Sequence, residues 1–459
     1  MNRALHAWPV RLCHWLNAYA MACLIGSGWG IYNASPLLDF RFPAWATLGG
    51  WLGGSIAWHL AAMWLLLGNG LCYLAHGLSS GHFRRDFLPL SAAGVWRDLR
   101  LALGLRLVHE PGRYNAVQRL LYWLVLALGA LLVLSGLAIW KPVQLHGLTA
   151  LFGGFQGGAL GAFPGHGRGR RVRRRAPAAG AVGAAHPAAD DHRTRVAART
   201  EERRMKGPEK KRAKIAIDPS SERQMVDLQR RLLLRGGLSL GALAMLSGCR
   251  LQDGDSVDKV LWAMSRWNDR VQAWLFSRTR LAPTFDPSQV ASPFPFNAFY
   301  PAYNVPEIDL PEYRLQVSGR VRDKRPWSLE QLRRLPQASQ VTQLICIEGW
   351  SAIGQWSGVP LRTFLELVGA DTSAKYVGFK CADRYYSSLD MPSALHPQTL
   401  LALEMSGQAL PEENGYPLRL RIPTKLGFKN AKHVVEIFVS NSNPGGYWED
   451  QGYNWFSGV

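Results

Sequence analysis

Three stretches without a charged side chain constrain this chain more than anything else in it. Residues 12–38, 42–83 and 120–140 contain no Asp, Glu, Lys or Arg. Each can supply the ~20 apolar residues that a helix needs to cross a bilayer. A core helix of a water-soluble protein rarely stays uncharged for so long. Spans are expected at about 12–33, 51–76 and 120–140, with a weaker fourth at 143–164. Arg3 and Arg11 precede the first span, and seven arginines from Arg84 to Arg119 separate the second from the third. Only Asp39 and Arg41 lie between the first and second. Positive loops stay in the cytoplasm, which puts the N-terminus and the 84–119 loop there.

Two histidines fall inside these spans, His14 in Arg11-Leu12-Cys13-His14-Trp15 and His59 in Trp58-His59-Leu60. A polar ring at membrane depth is expensive and usually functional. A histidine near a helix start can also simply bond a backbone carbonyl, which suits His14 better than His59. Histidines on helices of a transmembrane bundle are a common way to hold haem iron. Residues 1–157 resemble the bacterial b561 and nickel-hydrogenase b-type cytochromes, whose first helix opens with Arg-x-x-His-Trp and whose second carries another histidine. The resemblance implies a four-helix bundle ligating haem b through His14 and His59. The family's fourth helix carries the partner histidines. Here 142–167 is uncharged but rich in glycine, and its only histidines, His146 and His166, sit near its ends.

The formal charge of +20 is concentrated: residues 165–214 hold 16 Lys and Arg against 5 Asp and Glu. The high isoelectric point therefore says little about the folded parts, and no nucleic-acid partner is expected from it. Between 165 and 228 large hydrophobes are scarce and Arg, Ala, Gly and Pro abound. With little to bury, the segment reads as a disordered basic linker. A basic arm for anionic lipid or nucleic acid is a second reading, and out-of-frame translation of a GC-rich gene a third. Near Met205 the composition recovers. Arg230-Arg231 precedes an apolar run ending in Leu246-Ser247-Gly248-Cys249. Residues 229–249 thus read as a twin-arginine export signal with a lipobox-like end, or as a short amphipathic linker. Residues 250–289 form a connecting segment.

Residues 290–459 have soluble composition. Alternation at 313–319 and 433–439 predicts strands, residues 361–368 predict a short helix, and Asn414-Gly415 and Asn443-Pro444-Gly445-Gly446 predict turns. The fold class expected for the whole chain is multi-domain, an N-terminal α-helical transmembrane bundle followed by a C-terminal α+β domain.

Cys346 stands alone in Leu344-Ile345-Cys346-Ile347-Glu348-Gly349-Trp350, with no Cys-x-x-Cys or Cys/His cluster nearby. It is either a buried packing residue or one soft thiolate ligand to a metal that another molecule largely holds. Around it, in order, come Asn297-Ala298-Phe299-Tyr300, then Pro417-Leu418-Arg419-Leu420-Arg421-Ile422-Pro423, then Lys425-Leu426-Gly427-Phe428-Lys429-Asn430-Ala431-Lys432. Together these segments resemble the sulfite-oxidase-fold molybdopterin enzymes, and most closely the catalytic subunit of periplasmic methionine-sulfoxide reductases.

The resemblance implies Mo-molybdopterin with Cys346 as molybdenum ligand. It also implies Asn297 and Tyr300 at the pterin, Asn414 and Arg419 at polar groups of the cofactor, and Asn430, Ala431 and Lys432 at its phosphate end. Lys425 and Lys429 would add charge there. Cys381 stands where that group has a threonine at the cofactor. The arginine that many relatives carry just before the ligand cysteine is replaced by Gln343-Leu344-Ile345, so Trp356, Arg384, Tyr385 and Tyr386 become the substrate-pocket candidates.

The function expected is a molybdenum oxidoreductase of the bacterial inner membrane. Its catalytic domain would be periplasmic, and it would reduce a small or protein-bound S- or N-oxide with electrons from the quinone pool or another donor. Sulfite-type oxidation and a non-catalytic electron carrier or anchor are the alternatives.

Overall fold

The computed structural model describes residues 7–104, 114–155 and 256–459. The basic linker, the frame-shift reading, the export signal with Cys249 and the later part of the weak fourth span all lie outside these residues.

The uncharged stretches are helical. Helix α1 spans Trp8–Tyr32, α2 spans Leu52–Ser79 and α4 spans Ala116–Trp140, with α3 (Ala92–Leu103) between the last two. Local chemistry sets their starts. Pro9 opens α1, whose first amides need no partner there, and Asn115 with Gln118 forms a capping box at α4. By length and composition α2 and α4 can cross a membrane. The face of α4 bearing Leu121, Val125, Leu128 and Leu131 is exposed, an apolar surface suited to lipid and costly in water. α1 and α2 pack on each other through polar contacts as well as apolar ones. Asn69 Nδ2 donates to the Cys13 carbonyl at 2.8 Å and to Asn17 Oδ1 at 2.6 Å. After α4 comes the short helix α5 (His146–Leu151), followed by Gly153 and Gly154 at left-handed φ of 78° and 89°.

The C-terminal part opens with α6 (Ser256–Leu275), an amphipathic helix that packs along α2. Two sheets follow. One has the order β1 (Gln316–Gly319), β9 (Val434–Ser440), β4 (Tyr376–Cys381), β5 (Tyr386–Asp390), with β1 parallel to β9 and the other pairs antiparallel. The other is antiparallel: β2 (Ala338–Ile345), β3 (Ser351–Pro360), β6 (Leu400–Met405) and β7 (Gln408–Ala409), with β8 (Arg419–Arg421) also on β6. Short helices α7 (Leu329–Arg333), α8 (Leu361–Leu367) and α9 (Met391–Ala394) fill the ends.

The expected strands at 313–319 and 433–439 and the helix at 361–368 appear within a residue or three of those bounds. The sheets share a core of Val359, Phe364, Val377, Phe379, Leu401, Leu420 and Ile437, all at most 1% exposed. Burying a side chain of this size is worth about 1.5–3 kcal/mol. That core holds the loops around 297–300, 346–350 and 427–432 in fixed relation.

Candidate functional site

β2 and β3 form a hairpin whose last pair is Ile345 with Ser351, so residues 346–350 are its loop. The Cys346 amide donates to the Trp350 carbonyl at 2.8 Å, and Gly349 turns the chain at φ 97°. A residue with a Cβ would be strained at that φ. The loop delivers Cys346 to a cavity lined also by Asn297, Tyr300, Glu348, Gly427 and Lys432. The cavity has a volume of about 130 Å³ and opens to solvent. Opposite the thiol, a Cβ on Gly427 would lie 3.2 Å from Leu344 Cδ2 and 3.6 Å from Asn297 Nδ2, so glycine keeps that wall clear.

Burial, with Glu348 beside it, pushes the Cys346 thiol up to about 12. Its Sγ lies 3.8 Å from Glu348 Oε2, which also accepts from Trp350 Nε1 at 2.9 Å. A thiolate here needs a cation to stabilise it, and a metal is the cation that a thiolate binds best.

Behind the cavity the charge balance is unusual. Arg419 and Arg421 are fully buried and flank the Trp356 ring at 4.9 and 5.6 Å. Among the described residues neither has a carboxylate within ion-pair distance. Arg421 is satisfied by Asn430 Oδ1, Thr342 Oγ1 and the Gln343 carbonyl. Arg419 donates from Nη1 to the Asn414 carbonyl at 2.8 Å, while its Nε and Nη2 have no partner among the described residues. Asn297 Oδ1 and Asn414 Oδ1 are likewise buried without a partner. A buried guanidinium with free donors costs several kcal/mol in order of magnitude unless an anion meets it. Burial brings Arg419 down to about 10. Burial, with Arg419 nearby, brings Lys432 down to about 7.

An anionic group with several acceptors answers the Arg419 donors, N–H groups of a pterin ring answer the two asparagine oxygens, and a dithiolene suits the thiol side, so the residues present fit molybdopterin. Tyr300 OH donates to His433 Nε2 at 3.2 Å, because His433 Nδ1–H is committed to the Tyr416 carbonyl at 2.8 Å.

The structure separates the expected site residues into groups. Cys346, Asn297, Tyr300, Asn430 and Lys432 line one cavity, together with Tyr385. Asn414 and Arg419 lie buried behind it, with Ala431. The Asn430 side chain faces inward, bonded to Arg421, the Ile422 amide and the Leu426 carbonyl. Lys425 and Lys429 do not form a basic patch: they are buried in ion pairs with Asp390 and Glu449. Trp356 is not among the residues lining the cavity; it is fully buried, with the Arg419 and Arg421 guanidinium groups against its ring. Cys381, Arg384 and Tyr386 line a second hollow with Tyr385. Sequence reasoning missed Glu348 and Asp383 as cavity groups. Glu348, two residues past the thiol, could have been found there.

In the membrane region His59 Nδ1 is 3.0 Å from Ser27 Oγ, whose own hydrogen goes to the Cys23 carbonyl at 2.6 Å. His59 therefore donates from Nδ1, leaving the Nε2 lone pair free, the arrangement of a metal-ligating imidazole. His14 is exposed and edge-on to Trp15. It lies thirteen residues before Ser27 on one helix, about 20 Å along the axis. His14 and His59 cannot share one iron. Each could hold a haem iron only separately from the other, and among the described residues no contact sets a second histidine beside either.

The comparisons agree with this division. Residues 5–188 match the family described as prokaryotic cytochrome b561, and residues 302–448 match the oxidoreductase molybdopterin binding domain. The chain is thus a membrane cytochrome b joined to a molybdenum-dependent oxidoreductase, with Mo-molybdopterin and haem b as its cofactors.

Among its relatives is "Putative protein-methionine-sulfoxide reductase subunit YedZ1" of Azospira oryzae, 58% identical over 50% of this chain and 87% of that one. A second sequence of that description and organism is 46% identical over 33% of this chain and 78% of its own length. The chain belongs to this YedZ1 family. It is also 34% identical to the protein-methionine-sulfoxide reductase catalytic subunit MsrP of Xanthomonas campestris, over 36% of this chain and 59% of that protein. A solved structure, the sulfane dehydrogenase SoxCD from Paracoccus pantotrophus, aligns at a TM-score of 0.29 and 23% identity over 30% of this chain and 40% of its own.

Proposed function

We propose that this protein reduces an S-oxide, with methionine sulfoxide, free or in a polypeptide, as the substrate class. The catalytic domain would sit on the periplasmic face of the bacterial inner membrane, and the cytochrome region would bring electrons from the quinone pool. One observation carries the reading: Cys346 opens into a cavity backed by buried, unpartnered donors and acceptors of Arg419, Asn297 and Asn414.

When bound, the molybdenum–pterin group supplies a two-electron centre able to take up an oxygen atom. The reaction as a whole consumes two electrons and two protons and yields the sulfide and water. Cys346 would ligate the metal. Arg419, Lys432 and the Asn430–Ala431 backbone would hold the anionic end, with Asn297, Tyr300 and Asn414 at the pterin. Glu348 Oε2, fixed by the Trp350 indole beside Cys346 Sγ, is placed to hold a proton. Tyr385 is the substrate-side candidate that lines the cavity; Cys381 and Arg384 lie behind it on the neighbouring hollow.

Sulfite-type oxidation is disfavoured by charge. Among the described lining residues Lys432 is the single cation, against the carboxylates of Glu348 and Asp383, where a dianion site would call for clustered cations. The domain division carries into the proposal as 1–164 cytochrome, 165–228 linker, 229–249 export signal or anchor, 250–289 connection and 290–459 catalytic domain.

The full chain, purified from a host that makes molybdopterin, should contain stoichiometric molybdenum and reduce methionine sulfoxide with reduced viologen as donor. Cys346→Ala should lose the metal and the activity together. A wild-type chain that folds but binds no molybdenum would overturn the reading.

A further inference from the structure

The cavity is not built by the catalytic domain alone. Leu52, the first residue of α2, is part of its lining. Next to it, Trp51 packs edge-on against Tyr453, another lining residue, at 5.2 Å between ring centres. On the other side of the Cys346 loop, Val143, just past α4, is 3% exposed. It shares a cluster with Phe155, Ala282, Ile345 and Val459, and Leu426 packs on it. Ile345 and Leu426 are the immediate neighbours of Cys346 and Gly427. Membrane-region residues thus both wall the cavity and brace the loops that carry its thiol and its glycine.

A buried polar network locks this contact. Lys141, directly after α4, is 1% exposed, and its Nζ donates to Gln272 Oε1 at 2.6 Å and the Gly458 carbonyl at 2.5 Å. Gln272 Oε1 also accepts from the Gly458 amide at 3.1 Å, and Gln272 Nε2 donates to Asn454 Oδ1. Asn454 Nδ2 in turn donates to the Ser265 carbonyl at 3.1 Å. Nearby, Gln144 Oε1 accepts from the Ser277 amide at 3.2 Å. Deeper along α2, Trp64 donates to Asn268 Oδ1 at 3.3 Å and meets Trp140 and Trp267 edge-on. The buried Lys141 Nζ meets two acceptors and the Trp140 ring at 4.4 Å, so the network has one register rather than a sliding fit.

We propose that the partner surface of the catalytic domain is the outer end of its own cytochrome region. Trp51 and Leu52 form a wall of the cofactor cavity, and the Lys141–Gln272–Gly458 network is the latch. That the cavity holds molybdopterin rests on the reading above; the docking itself does not. One consequence is geometric. His59 lies seven residues beyond Leu52 on the same helix, about 10 Å along its axis. The latch therefore fixes the spacing between the haem-side histidine and the cavity within a single polypeptide.

The test is hydrogen exchange on the full chain in lipid nanodiscs, comparing wild type with Lys141→Met and, from the other side of the latch, Gln272→Ala. Amides of 425–430 and 454–459 should exchange about tenfold faster in either variant, as expected when a buried hydrogen-bonded pair is broken, with α2 and α4 unchanged. Leu52→Ala, a milder change in the wall, should raise the rate at which a maleimide labels Cys346 in cofactor-free chain by several-fold. Unchanged exchange at 425–430 and 454–459, together with unchanged Cys346 labelling, would overturn the proposal. Neither readout needs molybdenum, so the docking is decided even where metal analysis defeats the reading of function.

Discussion

Arg419 concentrates the chemistry of the site in one side chain. It is fully buried, stacked on Trp356, and lacks partners for Nε and Nη2. Without an anion it is a cost to the fold; with one it is a binding group. Arg419→Met should therefore act in opposite directions on the two states. It should stabilise the cofactor-free chain by about 1–4 kcal/mol, the range for replacing a buried charge with an apolar side chain. In the loaded chain it should lower molybdenum retention. Thermal unfolding and metal analysis on the same preparations check both signs.

Lys432 gives a pH dependence of the same origin. Burial and Arg419 lower its folded pKa to about 7, below the ordinary lysine value of 10.5, so the unfolded chain binds the proton more tightly. The destabilisation is complete below pH 7, is relieved as pH rises through 7, and is gone above the ordinary lysine value. Cofactor-free chain should gain stability between pH 7 and 9, and Lys432→Met should flatten that rise. The sequence carried these residues as a cluster of like charges. It could not say that Lys425 and Lys429 are consumed by Asp390 and Glu449, because those carboxylates come from distant segments.

At the scale of elements, the β2–β3 hairpin sets the position of the thiol. Its register is fixed by eight paired residues on each strand, and its loop depends on Gly349 at φ 97°. No atom would meet a Cβ there, so Gly349→Ala tests backbone strain alone. It should cost about 1 kcal/mol in stability, and it should lower molybdenum content more than that loss explains, because the loop re-aims Cys346. Strands β1 and β9 and the short helix α8 were legible from alternation and turn residues. Their pairing was not: β1 is parallel to β9 across more than a hundred residues of sequence. The weak fourth span was read from missing charges alone, and the described part of it holds one short helix interrupted at two left-handed glycines.

For the whole molecule, the two histidines belong to different depths of the bundle. His14 lies near the level where Asn69 crosses α1, and His59 near Ser27. His14→Ala and His59→Ala should each remove a different haem signal in the reduced optical spectrum and in redox titration, and their effects should add. Loss of the same signal in both variants would mean that the bundle is arranged differently. The latch at Lys141 makes the membrane and catalytic halves one unit, so damage at that interface should reach the cavity without any change to the residues lining it.

The sequence by itself determined the class of the protein. Uncharged runs set the membrane helices through the cost of burying charge in hydrocarbon, and the order of Asn297, Cys346, Arg419 and Lys432 marked the cofactor domain. Both signals are local or depend only on residue type. Tertiary structure alone decided which charges stay free, that Trp356 is buried against two arginines, and that Leu52 of the membrane region walls the cavity. Those outcomes depend on which distant groups meet in the folded chain: a lysine is a binding group or half of an ion pair according to a partner the sequence cannot place.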